Sequence, residues 1–85
     1  DDVLRGNFPV EEGMQWVLLS ETSTLAGLTP VQLRDRYAVD LHSLRRHGQL
    51  YHPVREEMAL ETRDWLLLSG TRDRVAEVMG LATAL

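Results

Sequence analysis

The sequence has no cysteine, so disulfides, thiolate zinc sites and cysteine nucleophiles are excluded. It has no lysine either: all nine basic residues are arginine, against thirteen acids, and the formal net charge is −4. The basic excess of a general nucleic-acid binder is missing, so DNA and RNA are not expected as partners. No apolar run approaches the ~18 to 20 residues of a membrane-spanning helix, and "DDVLRGNFPV" lacks the basic-then-apolar build of a signal peptide. No GxSxG elbow surrounds Ser20, Ser23, Ser43 or Ser69, and no HxH, HxxxH or HExxH spacing occurs. The chain is therefore read as non-enzymatic, with no catalytic residue and no metal site.

What is present fits one small folded domain. The 85 residues are 44% hydrophobic and 26% charged, without low-complexity tracts. There is no initiator methionine and two acids run straight into "VLRGNF", which reads as a module excised from a longer chain. Residues 1–13, punctuated by Gly6, Pro9 and Gly13, read as a linker or lead-in, and residues 14–85 as the domain.

The domain opens with "MQWVLLSE", residues 14 to 21, whose continuous apolar centre predicts a strand buried on both faces. Thr29, Pro30 and Gln32 form a capping box with proline at the first helical position, and Leu33 and Tyr37 share one face of the short helix that follows. "AVDLHSLRR" alternates, with Val39, Leu41 and Ser43 on one face and His42, Leu44 and Arg46 on the other. Gly48 turns the chain into a hairpin and Pro53 marks the end or edge of the return strand. Met58 and Leu60 anchor a connector, and "DWLLLSG" reads as a further core strand. Thr71 caps a second helix with Asp73 in its first turn and Val75, Val78, Met79 and Ala82 in one stripe, which Gly80 interrupts and is expected to end early. The fold class is α+β: a small two-layer β-α-β-β-β-α domain with a mainly antiparallel sheet and short helices.

Three groups of side chains invite a functional reading. His42, His47 and His52 are spaced five apart, and on a hairpin His42 and His52 lie on facing strands, yet nothing designates a third metal ligand. They are read as polar residues of a sheet face or turn. Arg45 and Arg46 end a strand beside a glycine turn and offer guanidinium forks to phosphate or carboxylate, with Arg34, Arg36 and Arg55 available to join them. Finally, "WVLL" and "WLLL" carry more apolar surface than two short helices cover, which predicts a two-fold dimer through a sheet edge or face.

From about Ser23 to Met79 the chain resembles the C-terminal subdomain of the RCK family (regulator of potassium conductance), also called TrkA-C. The residues carrying the resemblance are "TLAGLTPVQLRDRYAVDLHSLRRHG" and "MALETRDWLLLSGT". They match the family's small-Leu-x-Gly opening, short helix, strand closing in basic residues and glycine, and "x-x-Leu-x-x-Gly-Asp-x-Leu-x-x-x-Gly" segment. One departure is Arg63, which stands where the family usually has glycine; a left-handed conformation there would be strained. The resemblance implies a TrkA-C-like dimeric regulatory module of an ion transport protein, on the cytoplasmic face of the membrane and without direct insertion. The transported species it implies is potassium or a cation exchanged for protons. It implies no resident cofactor, but a regulatory ligand such as cyclic di-AMP or a divalent cation in some members. No Rossmann glycine fingerprint occurs, so NAD and ATP are not carried over. For a dinucleotide effector, hairpin geometry puts Arg45, Arg46 and His47 beside it, flanked by His42 and His52. The alternative is a constitutive dimerisation module with no ligand.

Overall fold

A computed structural model describes residues 12–84 of the chain. The elements run β1 (Glu12–Leu18), α1 (Pro30–Tyr37), β2 (Asp40–Arg46), β3 (Gln49–Tyr51), β4 (Trp65–Thr71) and α2 (Arg72–Ala82). They form a single four-stranded sheet in the order β1-β4-β2-β3, with every neighbouring pair antiparallel. The expected α+β architecture and element order are found. β1 takes in Glu12 and Gly13, assigned above to the lead-in, and stops at Leu18 rather than Glu21; the rest of that lead-in lies outside the described residues.

Local chemistry accounts for the elements. Thr29 accepts from the Gln32 amide at 3.3 Å and the Gln32 side chain accepts from the Thr29 amide at 3.0 Å, the reciprocal capping box, with Pro30 at the first helical position. α1 ends on Ala38 in the left-handed conformation (φ 60°), its amide returning to the Arg34 carbonyl. β2 and β3 are joined by His47 (φ 53°) and Gly48 (φ 79°), two left-handed residues that make the turn whose twist matches a two-residue hairpin. α2 starts at Thr71, which caps the Arg74 amide. Gly80 does not end it early, because the helix continues to Ala82.

The loop after β1 clamps the far end of α2. The Ser20 amide donates to the Ala82 carbonyl, the Ser20 and Thr22 hydroxyls to that of Ala84, and the Ser23 hydroxyl to that of Leu81. Carbonyls that a helix C-terminus leaves without an intrahelical partner are satisfied in this way. The connector is tied down likewise: the Gly27 amide donates to the Leu60 carbonyl, and the Leu60 amide to that of Leu28, both at 2.8 Å.

The core lies between the sheet and the two helices. Val17, Leu44, Leu66 and Leu68 from the sheet meet Leu33 of α1 and Val75, Val78 and Ala82 of α2, with Leu60 closing the side. A buried leucine of this kind contributes about 1.5–3 kcal/mol. Among the described residues, the helices cover one face of the sheet. Trp16, Leu18, Leu50 and Trp65 are exposed on the other, so the reading of "WVLL" and "WLLL" as strands buried on both faces does not hold within one chain. The alternation read into β2 also fails, because a bulge falls between Leu41 and Ser43. Leu41 pairs with Leu68, whereas Ser43 pairs with Leu67 and Leu44 with Leu66. One extra residue, His42, therefore moves Ser43 and Arg45 to the outer face and keeps Leu41 and Leu44 on the inner one.

Ala38 marks a place where the chain departs from its easiest conformation. Ala38→Gly is expected to stabilise the domain by about 1 kcal/mol, as removal of a Cβ from a left-handed cap does, measured by urea unfolding.

Candidate functional site

The hairpin positions two separate clusters. At the turn end, Arg45, Arg46 and His47 line a cavity of about 460 Å³ together with Glu61, Arg63, Asp64 and Trp65. At the other end, His42 and His52 stack with ring centroids 4.5 Å apart and planes 19° from parallel. The five residues expected from the sequence thus fall into a group of three and a group of two.

Within the turn cluster Arg46 is engaged internally. Its Nε donates to Oδ1 of Asp64 at 2.8 Å and its Nη2 to Oδ2 at 2.7 Å, a two-pronged pair, while Nη2 also reaches the Ala59 carbonyl and Nη1 lies 3.2 Å from Glu61. Asp64 is 1% exposed, and its Oδ2 also accepts from the Glu61 amide at 2.8 Å. The hydrogen bond to Asp64 raises the Arg46 pKa beyond its already high value against the opposing effect of burial. Arg45 is different. It is exposed, and its Nη1 donates only a long 3.4 Å bond, to the Gly48 carbonyl. On the outer face it lies in a row across all four strands, Leu18, Trp65, Arg45 and Leu50, and it shares a shallow groove of about 330 Å³ with Trp16 and Trp65. Arg34 and Arg55, possible contributors by sequence, pair elsewhere: Arg34 with Glu56 and Asp40, Arg55 with Glu57.

The histidine cluster is organised by Ser43, whose hydroxyl is 2.8 Å from Nδ1 of His42 and 3.3 Å from Nδ1 of His52. Nδ1 of His52 is also 2.9 Å from the His42 carbonyl. A carbonyl only accepts, so Nδ1 of His52 carries a proton and donates to it. Stacked rings hold their lone pairs in near-parallel planes that do not converge on one ion. Among the described residues no group of three or more His, Asp or Glu is placed to hold a metal, and no helix is long and apolar enough to cross a membrane.

Sequence reasoning missed Arg63, Trp16 and Trp65 as cavity and groove residues. Arg63 carried a signal, since it occupies a glycine position of the family it resembles, and its φ is 73°. The turn keeps its left-handed shape with arginine in it: the Arg63 amide donates to the Leu19 carbonyl at 2.7 Å.

This arrangement of sheet, helices and connector is a known small-domain fold. No protein-family model and no curated protein matches the sequence. Solved structures do. The RCK_C domain dimer of S. agalactiae BusR, in complex with c-di-AMP, superposes with a TM-score of 0.73 at 14% identity, over 85% of this chain and 97% of that one. The RCK C domain of the potassium transport protein KtrA, also in complex with cyclic diadenosine monophosphate, gives 0.68 at 17% identity over 81% of each chain. The GsuK RCK domain gives 0.58 at 21% identity, over 85% of this chain but 18% of that one. The chain has the RCK_C fold.

Removal of the Asp64 carboxylate takes the two-pronged acceptor from the largely buried Arg46 guanidinium, which keeps only Glu61 and the Ala59 carbonyl, and takes its acceptor from the Glu61 amide. Asp64→Ala is expected to cost about 3–5 kcal/mol in urea unfolding, and the double change Arg46→Met/Asp64→Leu less than that, since no charge is then stranded.

Proposed function

We propose that this chain is a non-enzymatic RCK_C regulatory module that pairs with a second copy and responds to a small effector, on the cytoplasmic face of a membrane transport protein. The observation that carries the reading is the uncovered outer face of the sheet. Met14, Trp16, Leu18, Leu50 and Trp65 remain 37–55% exposed there. A contiguous apolar patch of this kind marks an interaction surface. Tryptophans at its centre are the side chains that most often dominate an interface. A second copy of the same face supplies the complement by two-fold symmetry.

The relatives support the remainder. BusR is recorded as a dimer of RCK_C domains, and both BusR and KtrA are recorded bound to c-di-AMP. An effector of that chemistry, lodged beside the interface, would shift the orientation of the two copies to the extent that it prefers one arrangement. The basic residues at the two ends of the hairpin, Arg45 and His47 at one and His42 and His52 at the other, are the ones proposed to meet it, with Arg46 positioning the turn. The attached partner is a potassium or cation/proton transport protein, as the KtrA match favours.

BusR favours a second reading. It is also recorded in complex with its busAB-promotor DNA, and that longer chain matches with a TM-score of 0.70 over 89% of this chain and 37% of its own length. The same module would there serve a transcription regulator, with DNA contacted by other parts of the parent protein. A third reading is an assembly module without ligand.

Trp16→Glu places like charges across the two-fold and is expected to weaken self-association roughly a hundredfold, as loss of a central tryptophan does, with the circular dichroism unchanged. Sedimentation velocity reads the association, and a wild-type chain that is monomeric at high micromolar concentration overturns the reading. Saturating c-di-AMP is expected to raise the melting midpoint of the wild-type domain. A dimer that shows no shift is instead the assembly module.

A further inference from the structure

The 460 Å³ cavity beside the hairpin turn has properties that a structural turn does not require. It is lined by Arg45, Arg46, His47, Arg63 and Trp65, with Glu61 and Asp64 as its acids. Both acids are already engaged by Arg46, so the charge facing the cavity comes from Arg45 and Arg63. Their contacts are weak. Arg45 has the Gly48 carbonyl at 3.4 Å, and Arg63 has Glu21 at 3.8 Å, with both partners of the latter pair more than 70% exposed.

The backbone adds an independent observation. Three non-glycine residues have left-handed φ among the described residues. One, Ala38, is a helix cap; the other two, His47 and Arg63, both line this cavity. Glycine would adopt either conformation without penalty, whereas a side chain costs about 1–2 kcal/mol there. At His47 the two-residue hairpin turn requires that conformation; at Arg63 the cost is borne by a basic side chain in the cavity wall, in keeping with a side chain that serves a ligand.

The chemistry of the walls narrows that ligand. Two guanidinium forks with donors to spare suit phosphate or carboxylate. The indole of Trp65, 44% exposed, offers a flat apolar wall, the kind of platform on which a base stacks with about 1–3 kcal/mol. The volume lies within the ~300–1,000 Å³ of small-molecule sites. We propose that this cavity binds a mononucleotide-sized anion, its phosphate between Arg45 and Arg63 and its ring against Trp65, with Arg46 as a positioning residue held by Asp64. This deepens the effector part of the proposed function and rests on it only for its consequence. Trp65 and Arg45 also belong to the outer sheet face, so a ligand touching them alters the surface offered to the second copy.

Titration with AMP, adenosine and ribose 5-phosphate, followed by fluorescence of Trp65 in a Trp16→Phe background and by calorimetry on the wild type, tests the proposal. AMP is expected to quench the fluorescence, with adenosine and ribose 5-phosphate each at least about tenfold weaker, since each lacks one of the two anchors. Arg63→Gly is expected to retain or raise the melting midpoint and to weaken AMP at least about tenfold. Arg45→Gln is expected to weaken it similarly. AMP binding that is unchanged in Arg63→Gly and Arg45→Gln overturns the site, as does absence of AMP binding into the millimolar range. Sedimentation of the same variants separates the two claims. A dimer that still responds to c-di-AMP while AMP binds nowhere near Trp65 removes the cavity and leaves the regulatory reading standing; AMP binding by a chain that stays monomeric does the reverse.

Discussion

The buried carboxylate of Asp64 is the constraint on which the arrangement around it depends. It accepts two hydrogen bonds from Arg46 at the end of β2 and one from the Glu61 amide in the connector. Its own backbone accepts from the Leu19 amide, just after β1. One residue therefore fixes where three separated segments meet and where β4 begins. A charge this deep is tolerated because its acceptor sites are matched by donors, and removal of Arg46 leaves it with the Glu61 amide alone. The direction in which Trp65 leaves the turn, and hence the wall it gives to the neighbouring cavity, follows from that fixed point.

Much of the fold is written in local chemistry. The Thr29, Pro30 and Gln32 box, the Gly48 turn and the Thr71 cap each act within a few residues, and each is found as expected. What local pattern does not carry is which apolar residues face solvent in a single chain. Leucine and tryptophan runs in β1 and β4 look the same whether their second face meets a helix or is left uncovered. The bulge at His42 is likewise invisible, because nothing in "DLHSLRR" distinguishes a continuous ladder from one with an extra residue.

The candidate site was legible in part for the same reason. Arg45 and Arg46 are adjacent and chemically identical, yet one is engaged by an acid eighteen residues away and the other lies open between two tryptophans. That division is made by the sheet register and not by composition. His42 and His52, ten residues apart, come together only because the hairpin has a two-residue turn and the bulge turns Ser43 outward to bridge them. Arg63 was legible only by contrast, as a side chain in a place where the family it resembles usually has none.

The three-residue length of β3 bears on how such a domain assembles. An edge that short offers few free amides and carbonyls, so it is a poor template for adding another chain strand by strand. The tryptophan-bearing face has no such limit, but a contact made by the same face on both copies uses up that face on each. Assembly by this route would be self-terminating at two copies.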